Sequence, residues 1–250
     1  MARAAGPVTL LELRGLGKRF GGLAAVSQLD LTIESGEIVG LIGPNGAGKT
    51  TAFHLIAGFH PPSTGTIRFK GDSIVGLKPH AICRRGLART FQLVQPFAGL
   101  TALENVMVGA FTRERKIATA RSQAGEILDF VGLGPRRETV AGHLTLADRK
   151  RLEMARGLAT RPELLLLDEV MSGLNATEIE AIIGTIRRIH ERGVTLLIIE
   201  HVMQAIMALS HRLVVLHHGE KIADGPPALV ARERKVIEAY LGEAGDTAAP

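Results

Sequence analysis

The hydrophobic and polar positions of the N-terminal third of the chain follow strand and helix periods in turn. "VTLLELRGL" and "LAAVSQLDLTI" alternate like half-buried strands, whereas "EIVGLIG" is a continuous apolar run typical of a buried strand. A Gly-rich turn then leads into "KTTAFHLIAGF", which has helical spacing. "PPSTGTIRFKGDSI" predicts a turn followed by a hairpin.

A second α/β region follows a stretch with little strand character. Residues from about 92 to 143 predict helices and loops, as in an inserted subdomain. We then expect a helix from about Thr145 to Thr160, the strand "ELLLLDE", the helix "ATEIEAIIGTIRRIHERG" and the strand "VTLLIIEH". This alternation predicts an α/β fold, a mostly parallel sheet with helices on both faces.

Composition narrows the class of protein. The 250 residues are 46% hydrophobic and 22% charged, which is typical of a soluble globular chain. No apolar run reaches the roughly 20 residues of a membrane span, so we expect any membrane contact to be peripheral. Cys83 is the single cysteine, which excludes an internal disulfide, and we expect it to act as a small, partly buried apolar side chain. The net charge of +5 carries little weight because the basic residues are scattered.

The motif "GPNGAGKT" matches the pattern G-x-x-x-x-G-K-[ST] of a phosphate-binding loop in full, between a predicted strand and a predicted helix. Its glycines let backbone N–H groups turn toward phosphate oxygens at a helix N-terminus. We expect Lys49 to contact the terminal phosphates and Thr50 to place its hydroxyl on Mg²⁺. The predicted nucleotide-binding residues of this loop are Gly43, Pro44, Asn45, Gly46, Ala47, Gly48, Lys49, Thr50 and Thr51.

Two predicted strands end in polar side chains that parallel strands would bring to one sheet edge. "LLLLDE" ends in Asp168 and Glu169, and "IIEH" ends in His201. We expect Asp168 to hold the Mg²⁺ shell and Glu169 to act on the attacking water as general base. His201 would contact the terminal phosphate and respond to its loss. The alternative for Asp168 and Glu169 is an ordinary acidic pair where a strand meets a loop, which the phosphate loop on the same chain disfavours. The alternative for His201 is a structural histidine, which its position after a buried strand disfavours.

The ordered set "GPNGAGKTT", "RTFQ", "LTLAD", "LLLLDE", "SGLN" and "IIEH" resembles the ATP-binding subunits of ABC transporters over about residues 8 to 242. The resemblance implies a RecA-like P-loop NTPase core with an antiparallel β subdomain and an inserted helical subdomain. We predict one nucleotide-binding domain whose core is residues 8–91 and 159–241. Its helical subdomain would be residues 92–158, and a flexible tail would follow at residues 242–250.

The resemblance also implies roles for single residues near the nucleotide. Phe20, in "KRFGG", matches the aromatic residue that stacks on adenine, with a core or hairpin position as its alternative. Gln92 matches the glutamine that contacts Mg²⁺ and the attacking water and links the site to the membrane partner, with Gln95 as a nearby competitor. Asn175, in "SGLN", stands where the family usually has aspartate, so we expect cross-subunit hydrogen bonding without that charge.

The segment "LTLAD" occupies the place of the family's Gly-rich signature, which clamps the ATP held by a partner subunit in a head-to-tail dimer. We predict that Thr145 caps the helix and that Asp148 completes the [ST]-x-x-[DE] capping pattern. Leu146 and Ala147 add Cβ atoms where glycines allow the closest approach. The basic residues 149–151 either offset Asp148 or form a solvated helix face.

Within the family, "GLARTFQLVQPFAGLTALENVMVGA", "LTLADRKRLEMARGLAT", "MSGLNATE" and "VIEAYLGEA" resemble the ATPases of branched-chain amino-acid and related amide or urea importers. This resemblance implies ATP and Mg²⁺ as cofactors and a peripheral place on the cytoplasmic face of the membrane. The implied partners are two transmembrane permease subunits, a second ATP-binding subunit, identical or homologous, and an extracytoplasmic solute-binding protein. "RRGLARTFQ" and the segment after it would form part of the permease docking surface.

Two alternatives stay open. A soluble ABC ATPase acting on nucleic acid or ribosomes would suit the basic pI, but such relatives usually carry two nucleotide domains, a long coiled coil or zinc-site cysteines, so no nucleic acid is expected. A subunit that binds ATP with weak hydrolysis would suit the modified signature. Against it stand intact Lys49, Thr50, Asp168, Glu169 and His201.

Overall fold

The computed structural model describes residues 8–92 and 94–246, and for residues 242–246 it describes the backbone alone. Two sheets are formed in this part of the chain. The strands are β1 (Thr9–Phe20), β2 (Leu23–Glu34), β3 (Ile38–Ile42), β4 (Thr64–Phe69), β5 (Asp72–Ser73), β6 (Leu87–Arg89), β7 (Leu164–Asp168), β8 (Thr195–Ile199), β9 (Arg212–His217) and β10 (Glu220–Gly225).

One sheet is antiparallel, with the strand order β2-β1-β4-β5, and it contains the predicted hairpin. The other has the order β10-β9-β3-β8-β7-β6 and is parallel except for the pair of β10 with β9. Non-consecutive neighbours in this sheet require helical crossovers. The arrangement confirms the predicted α/β fold with an added antiparallel sheet.

The central strands β3, β7 and β8 are buried along their whole length. Because successive side chains of a strand point to opposite faces, each of these strands contributes side chains to two hydrophobic clusters. In β7, Leu164 and Leu166 belong to the cluster beneath the antiparallel sheet, while Leu165 and Leu167 belong to the cluster on the other face. Burial on both faces explains the continuous apolar runs in the sequence. It also holds in place the ends of β7 and β8, where Asp168, Glu169 and His201 lie.

Helices cover the parallel sheet, and α3, α4 and α5 also pack around a hydrophobic cluster of their own. Within the residues that the structure describes, no helix has the length and apolar character needed to cross a membrane. The helices are α1 (Lys49–Ile56), α2 (Pro79–Arg85), α3 (Ala102–Ala110), α4 (Ile117–Phe130), α5 (Leu146–Ala159), α6 (Ala176–Glu191), α7 (Met203–Leu209), α8 (Pro227–Val230) and α9 (Arg234–Asp246).

The structure differs from the predicted organisation at two places. Helix α9 continues to Asp246, into the segment predicted as a tail, because its buried Val236 and Ala239 anchor it to the core. Residues 247–250 lie outside the described residues. The short elements α2 and β6 precede Gln92 in a segment where no helix or strand was predicted. The other proposed domain boundaries stay a prediction.

Candidate functional site

The phosphate-binding loop joins β3 to α1, as the sequence predicted. Gly43 and Gly48 have φ values of 148° and 101°, which L side chains rarely adopt. A Cβ atom at Gly43 would collide with the main-chain oxygen of Leu216, and one at Gly48 would collide with that of Ala25. Both glycines are therefore required by the close approach of neighbouring backbone as well as by the turn.

A cavity of about 650 Å³ opens in front of this loop. Its lining brings together residues 45–51 of the loop with Phe20, Gln92, Glu169 and His201, which the sequence assigned to one nucleotide site. Lys49 donates hydrogen bonds from Nζ to the main-chain oxygens of Gly43 (2.6 Å) and Pro44 (2.7 Å). These two loop residues thus position the lysine at the cavity.

Phe20 lies at the exposed end of β1, beside this cavity. The residue is 45% exposed, and its ring meets that of His60 edge to face, with the centroids 5.5 Å apart. Lys18 Nζ lies 5.1 Å from the same ring centroid. The ring is therefore available to a flat ligand, while its adenine-stacking role stays a prediction.

Glu169 is held at the cavity through its main chain and its side chain. Its φ of 48° is uncommon for a non-glycine residue, and its N–H donates to the main-chain oxygen of Ile199 at 2.9 Å. Gln92 Nε2 donates to Oε2 of the carboxylate at 2.6 Å, and His201 Nε2 lies 2.7 Å from Oε1. Because an ionised carboxylate only accepts hydrogen bonds, this geometry places a hydrogen on His201 Nε2.

Gln92, and not its competitor Gln95, is the glutamine that reaches the nucleotide cavity. Gln95 borders a smaller neighbouring cavity, which Gln92 and Asp168 also border, and its main-chain oxygen accepts a hydrogen bond from Arg156 at 3.2 Å. Gln92 is attached to the end of β6 by two residues, so the short strand fixes its approach. The geometry therefore favours Gln92 for the role that the sequence left between the two.

Asp168 ends β7 with its side chain fully buried. Arg89 Nη2 donates to Asp168 Oδ2 at 2.7 Å, and the main-chain N–H of Asp168 donates to Thr90 Oγ1 at 3.1 Å. Burial raises the pKa of the Asp168 carboxyl above its ordinary value, although the hydrogen bond and charge of Arg89 oppose this shift. Oδ1 is buried and accepts no hydrogen bond from the described residues.

This unpartnered oxygen fits a site for Mg²⁺. Hard cations prefer oxygen ligands, and Mg²⁺ is usually bound by one or two carboxylates together with substrate phosphates and water. Thr50 and Gln92 border the same small cavity as Asp168. The lining of this cavity thus includes a hydroxyl, an amide and a carboxylate, which are groups that suit Mg²⁺.

Lys150 belongs to the basic run after the signature, yet it is buried, with 3% of the residue exposed. Its Nζ donates to the main-chain oxygens of Glu169 (2.8 Å) and Gln92 (3.2 Å). Burial lowers the pKa of Lys150, while the neighbouring carboxylates of Glu200, Glu169, Asp168 and Glu153 act in the opposite direction. The solvated-face interpretation is wrong at this residue.

The start of α5 agrees with half of the predicted capping pattern. Thr145 caps the helix, and its hydroxyl accepts a hydrogen bond from the N–H of Asp148 at 3.2 Å. The Asp148 carboxylate does not complete a capping box but pairs with Arg136 (2.8 Å) and with Arg151 (3.4 Å). Arginines in reach offer this carboxylate a stronger, charge-assisted partner than a neutral N–H, so that half of the prediction is wrong.

The four predicted signature residues do not border the nucleotide cavity of this chain as described. Leu146 is 47% exposed, whereas Ala147 and Asp148 are buried. Thr145 and the first turn of α5 thus form a helix N-terminus that does not contribute to the chain's own nucleotide cavity.

Asn175 is the N-cap of α6 and forms a complete capping box with Glu178. Its Oδ1 accepts from the N–H of Glu178 at 3.0 Å, and the Glu178 carboxylate accepts from the N–H of Asn175 at 3.0 Å. Asparagine is among the best N-cap residues, so a local role accounts for it.

A second concave surface, which we name the docking groove, has a volume of about 270 Å³ and lies between the α/β core and α3 and α5. It contains Arg89 and Phe91 from the predicted docking segment, together with Phe59, Val108 and Arg156. Phe59, Phe91 and Val108 are each 42% exposed. The groove therefore offers an apolar floor with two arginines at its border.

Sequence reasoning missed three residues that shape the site: Arg89, Thr90 and Lys150. Arg89 and Thr90 precede Gln92 in "RTFQ", so their position next to a predicted site residue could have indicated that they belong to the site. Lys150 lay in a charged run whose period did not distinguish a buried ammonium from exposed ones.

The family profile for "ABC transporter" matches residues 26–172, and that for "Branched-chain amino acid ATP-binding cassette transporter" matches residues 220–246. The chain is 41% identical over 255 residues to BraF of Pseudomonas aeruginosa, a high-affinity branched-chain amino acid transport ATP-binding protein, covering 94% of this chain and 98% of BraF. It is 40% identical over 253 residues to LivG of Escherichia coli K12, also a high-affinity branched-chain amino acid transport ATP-binding protein, and this match covers 94% of this chain and 98% of LivG.

A further relative is the lipopolysaccharide export system ATP-binding protein LptB of Escherichia coli K12, with 34% identity over 234 residues, 93% of this chain and 97% of LptB. Among solved structures, the ADP conformation of MJ1267, an ATP-binding cassette of an ABC transporter, superposes with a TM-score of 0.85 and 28% identity over 94% of this chain and 99% of that chain. A nucleotide-free cassette of an ABC transporter gives a TM-score of 0.85 and 27% identity over 93% and 98%. The chain therefore belongs to the ABC transporter family of ATP-binding cassettes.

Proposed function

We propose that this chain is the ATP-hydrolysing subunit of an ABC importer for branched-chain amino acids or related amides. The observation that carries the proposal is the nucleotide cavity, in which the phosphate loop, Gln92, Glu169 and His201 meet. The near full-length similarity to BraF and LivG supports the choice of solute.

ATP would bind in this cavity with its phosphates against residues 45–51 and its adenine on Phe20. Backbone N–H groups and the N-terminus of α1 favour the phosphate charge. Lys49 donates hydrogen bonds to the carbonyl oxygens of Gly43 and Pro44 in this structure, and with ATP bound it would extend to the terminal phosphates. The loop thus supplies binding and orientation.

Thr50, Gln92 and Asp168 would hold Mg²⁺, which when bound neutralises charge on the phosphates. Asp168 contributes its unpartnered Oδ1, and Arg89 keeps the other oxygen occupied. The ion pair with Arg89 thereby leaves one oxygen of the carboxylate for the cation.

Glu169 would act as the general base. A water oxygen attacks the γ-phosphorus, the bond from that phosphorus to the ADP oxygen breaks, and the water proton moves to the Glu169 carboxylate. Gln92 and His201 hold the orientation of this carboxylate before the reaction, and His201, which borders the same cavity, would contact the γ-phosphate. A general base held in this way is worth roughly 10² to 10⁴ in rate.

The signature residues Thr145, Leu146, Ala147 and Asp148 would complete the site of a second ATP-binding subunit, identical or homologous. Their position outside the chain's own cavity and at a helix N-terminus supports this arrangement. The ion pairs of Asp148 offset its charge, so the helix N-terminus keeps its affinity for a phosphate.

The transporter would contain two transmembrane permease subunits, and the docking groove of each ATP-binding subunit would receive one of them. This contact would place the chain peripherally on the cytoplasmic face of the membrane. Its exposed Phe59, Phe91 and Val108 fit an apolar segment of a partner. A solute-binding protein outside the membrane would act through those permease subunits.

The test is copurification from detergent-solubilised membranes of the host. The tagged chain should retain two membrane proteins, and Val108→Glu, which puts a charge into the groove, should lose them. Ile117→Glu is the control, because Ile117 is 69% exposed outside the groove. Recovery of no membrane protein with the unchanged chain would contradict the proposal.

A further inference from the structure

Arg89, the last residue of β6, borders two cavities at once. It lines the docking groove, and it also lines a cavity of about 380 Å³ that contains Thr50, Gln92 and Asp168. The docking groove would face the membrane partner, whereas the cavity of about 380 Å³ is lined by the residues that would hold Mg²⁺. Phe91 and Arg156 also border both cavities, but Arg89 is the residue among the three that forms an ion pair with Asp168.

The guanidinium of Arg89 has one hydrogen-bonded partner and three aromatic neighbours. Nη2 donates to Asp168 Oδ2 at 2.7 Å, with both side chains nearly or fully buried. Nε and Nη1 are buried without hydrogen-bond partners among the described residues. Instead, Cζ lies 5.7 Å from the ring centroids of Phe53 and Phe59 and 5.4 Å from that of Phe91.

These contacts make the position of Arg89 depend both on Asp168 and on the aromatic rings of the docking groove. A buried charge is costly unless it is paired, and ring faces attract a desolvated guanidinium. Movement away from Asp168 would break the buried ion pair, whereas movement of the rings would remove the cation–π contacts of a guanidinium whose Nε and Nη1 have no hydrogen-bond partner among the described residues. Phe59 and Phe91 also contact each other edge to face, with centroids 5.6 Å apart, so they form one wall.

We propose that Arg89 is a positioning residue that couples the state of Asp168 to the aromatic wall of the docking groove. This inference rests on the proposed function. When Asp168 takes part in the Mg²⁺ shell, its attraction for Arg89 changes, and the rings of Phe59 and Phe91 rearrange with the guanidinium. A partner seated on these rings in turn changes the position of Asp168, because coupling between two sites is reciprocal. Gln92 acts through a different contact, the Glu169 carboxylate.

The coupling can be followed by tryptophan fluorescence in the isolated chain, because the chain contains no tryptophan of its own. Phe59→Trp places a single tryptophan, which can be excited separately from Tyr240, in the groove wall, and residue 59 does not border the nucleotide cavity. Mg²⁺ is titrated at a fixed, sub-saturating concentration of a non-hydrolysable ATP analogue, and tryptophan emission is recorded. Nucleotide binding is followed in parallel by displacement of a fluorescent ATP analogue. We expect an emission change whose midpoint in Mg²⁺ matches that of binding.

Arg89→Met in the Phe59→Trp chain should remove the emission change while Mg²⁺-nucleotide still binds. Arg89→Lys should keep a reduced response, and it replaces Arg89→Met if that variant does not fold. Arg156→Met is the matched control: Arg156 borders the same two cavities, pairs with Glu153 at 2.8 Å and lies 5.0 Å from the ring centroid of Phe97, but it makes no contact with Asp168. It should keep the full response.

An unchanged response without the Arg89 guanidinium would overturn the coupling, as would a silent Phe59→Trp chain that binds Mg²⁺-nucleotide. A loss of equal size in Arg156→Met would assign the effect to the groove as a whole and also overturn it. Failure of every variant to bind nucleotide would contradict the proposed function itself.

Discussion

Lys150 holds Glu169 by its main chain: Nζ donates to the Glu169 carbonyl oxygen at 2.8 Å. The same ammonium donates to the carbonyl oxygen of Gln92 at 3.2 Å. Lys150 lies in the second turn of α5, the helix whose N-terminus carries the signature residues. One helix therefore touches the candidate general base of its own chain and would also touch the ATP of a partner.

Replacing Lys150 by Met should lower the kcat of the assembled transporter by about 10²-fold, since small misplacements of reacting groups cost that much. The KM for ATP should change little, because Lys150 does not border the nucleotide cavity. Steady-state ATPase kinetics measure both constants. Lys150→Arg should restore most of the rate. Arg149→Met is the control, since Arg149 donates to Gly142 instead, and equal losses in both variants would remove the positioning role.

Thr145→Ala should reduce the ATPase activity of the assembled transporter more than Leu146→Gly does. Thr145 supplies the cap of α5, worth about 1 kcal/mol to the helix, and a hydroxyl at its N-terminus. Leu146 is 47% exposed, so its side chain contributes less to the fold. Parallel turnover measurements decide the order. The reverse order would show that the hydroxyl cap is not the working part of the signature.

Glu200→Gln should change how stability depends on pH. Burial raises the pKa of Glu200 to about 6. The folded state thus binds a proton more tightly than the unfolded state does. Glu200 then contributes stability that is present below about pH 4.5 and is lost as the pH rises through about 6. Urea unfolding at pH 4.5 and pH 7 should show the unchanged chain losing about 2 kcal/mol relative to the variant. A constant difference between the two proteins would refute the shift.

Asn175→Ala should destabilise the chain by about 1 kcal/mol, because it removes the cap of α6. Asn175→Asp should leave the stability nearly unchanged, since aspartate caps helices equally well. Urea unfolding of the two variants under identical conditions provides the comparison. A large loss in Asn175→Asp would mean that the amide makes a contact beyond the capping box.

The parts of the site that the sequence predicted are those fixed by local rules. Buried parallel strands deliver their last residues to one edge, which is why Glu169 and His201 meet as expected. The phosphate loop is determined by its own glycines, and Thr145 caps α5 because its hydroxyl lies three residues before the N–H it accepts from. Such features depend on neighbours in the chain or on strand order.

The parts that were missed depend on contacts between distant segments. Arg89 meets Asp168 across 79 positions, and Lys150 meets Gln92 across 58. Hydrophobic periodicity carries no information on whether a charged side chain is buried against such a partner. The Asp148 carboxylate was wrongly assigned for the same reason, because Arg136 approaches it from outside the helix.

The most direct test of the whole account is uptake of radiolabelled leucine by a host strain that lacks this chain. Expression of the unchanged chain should restore uptake. Expression of Glu169→Gln at the same level should leave uptake at or below about 1% of that value, since a general base is worth at least about 10² in rate. ATP binding by the variant should persist. Full uptake with Glu169→Gln, or unchanged uptake in the deletion strain, would contradict the account.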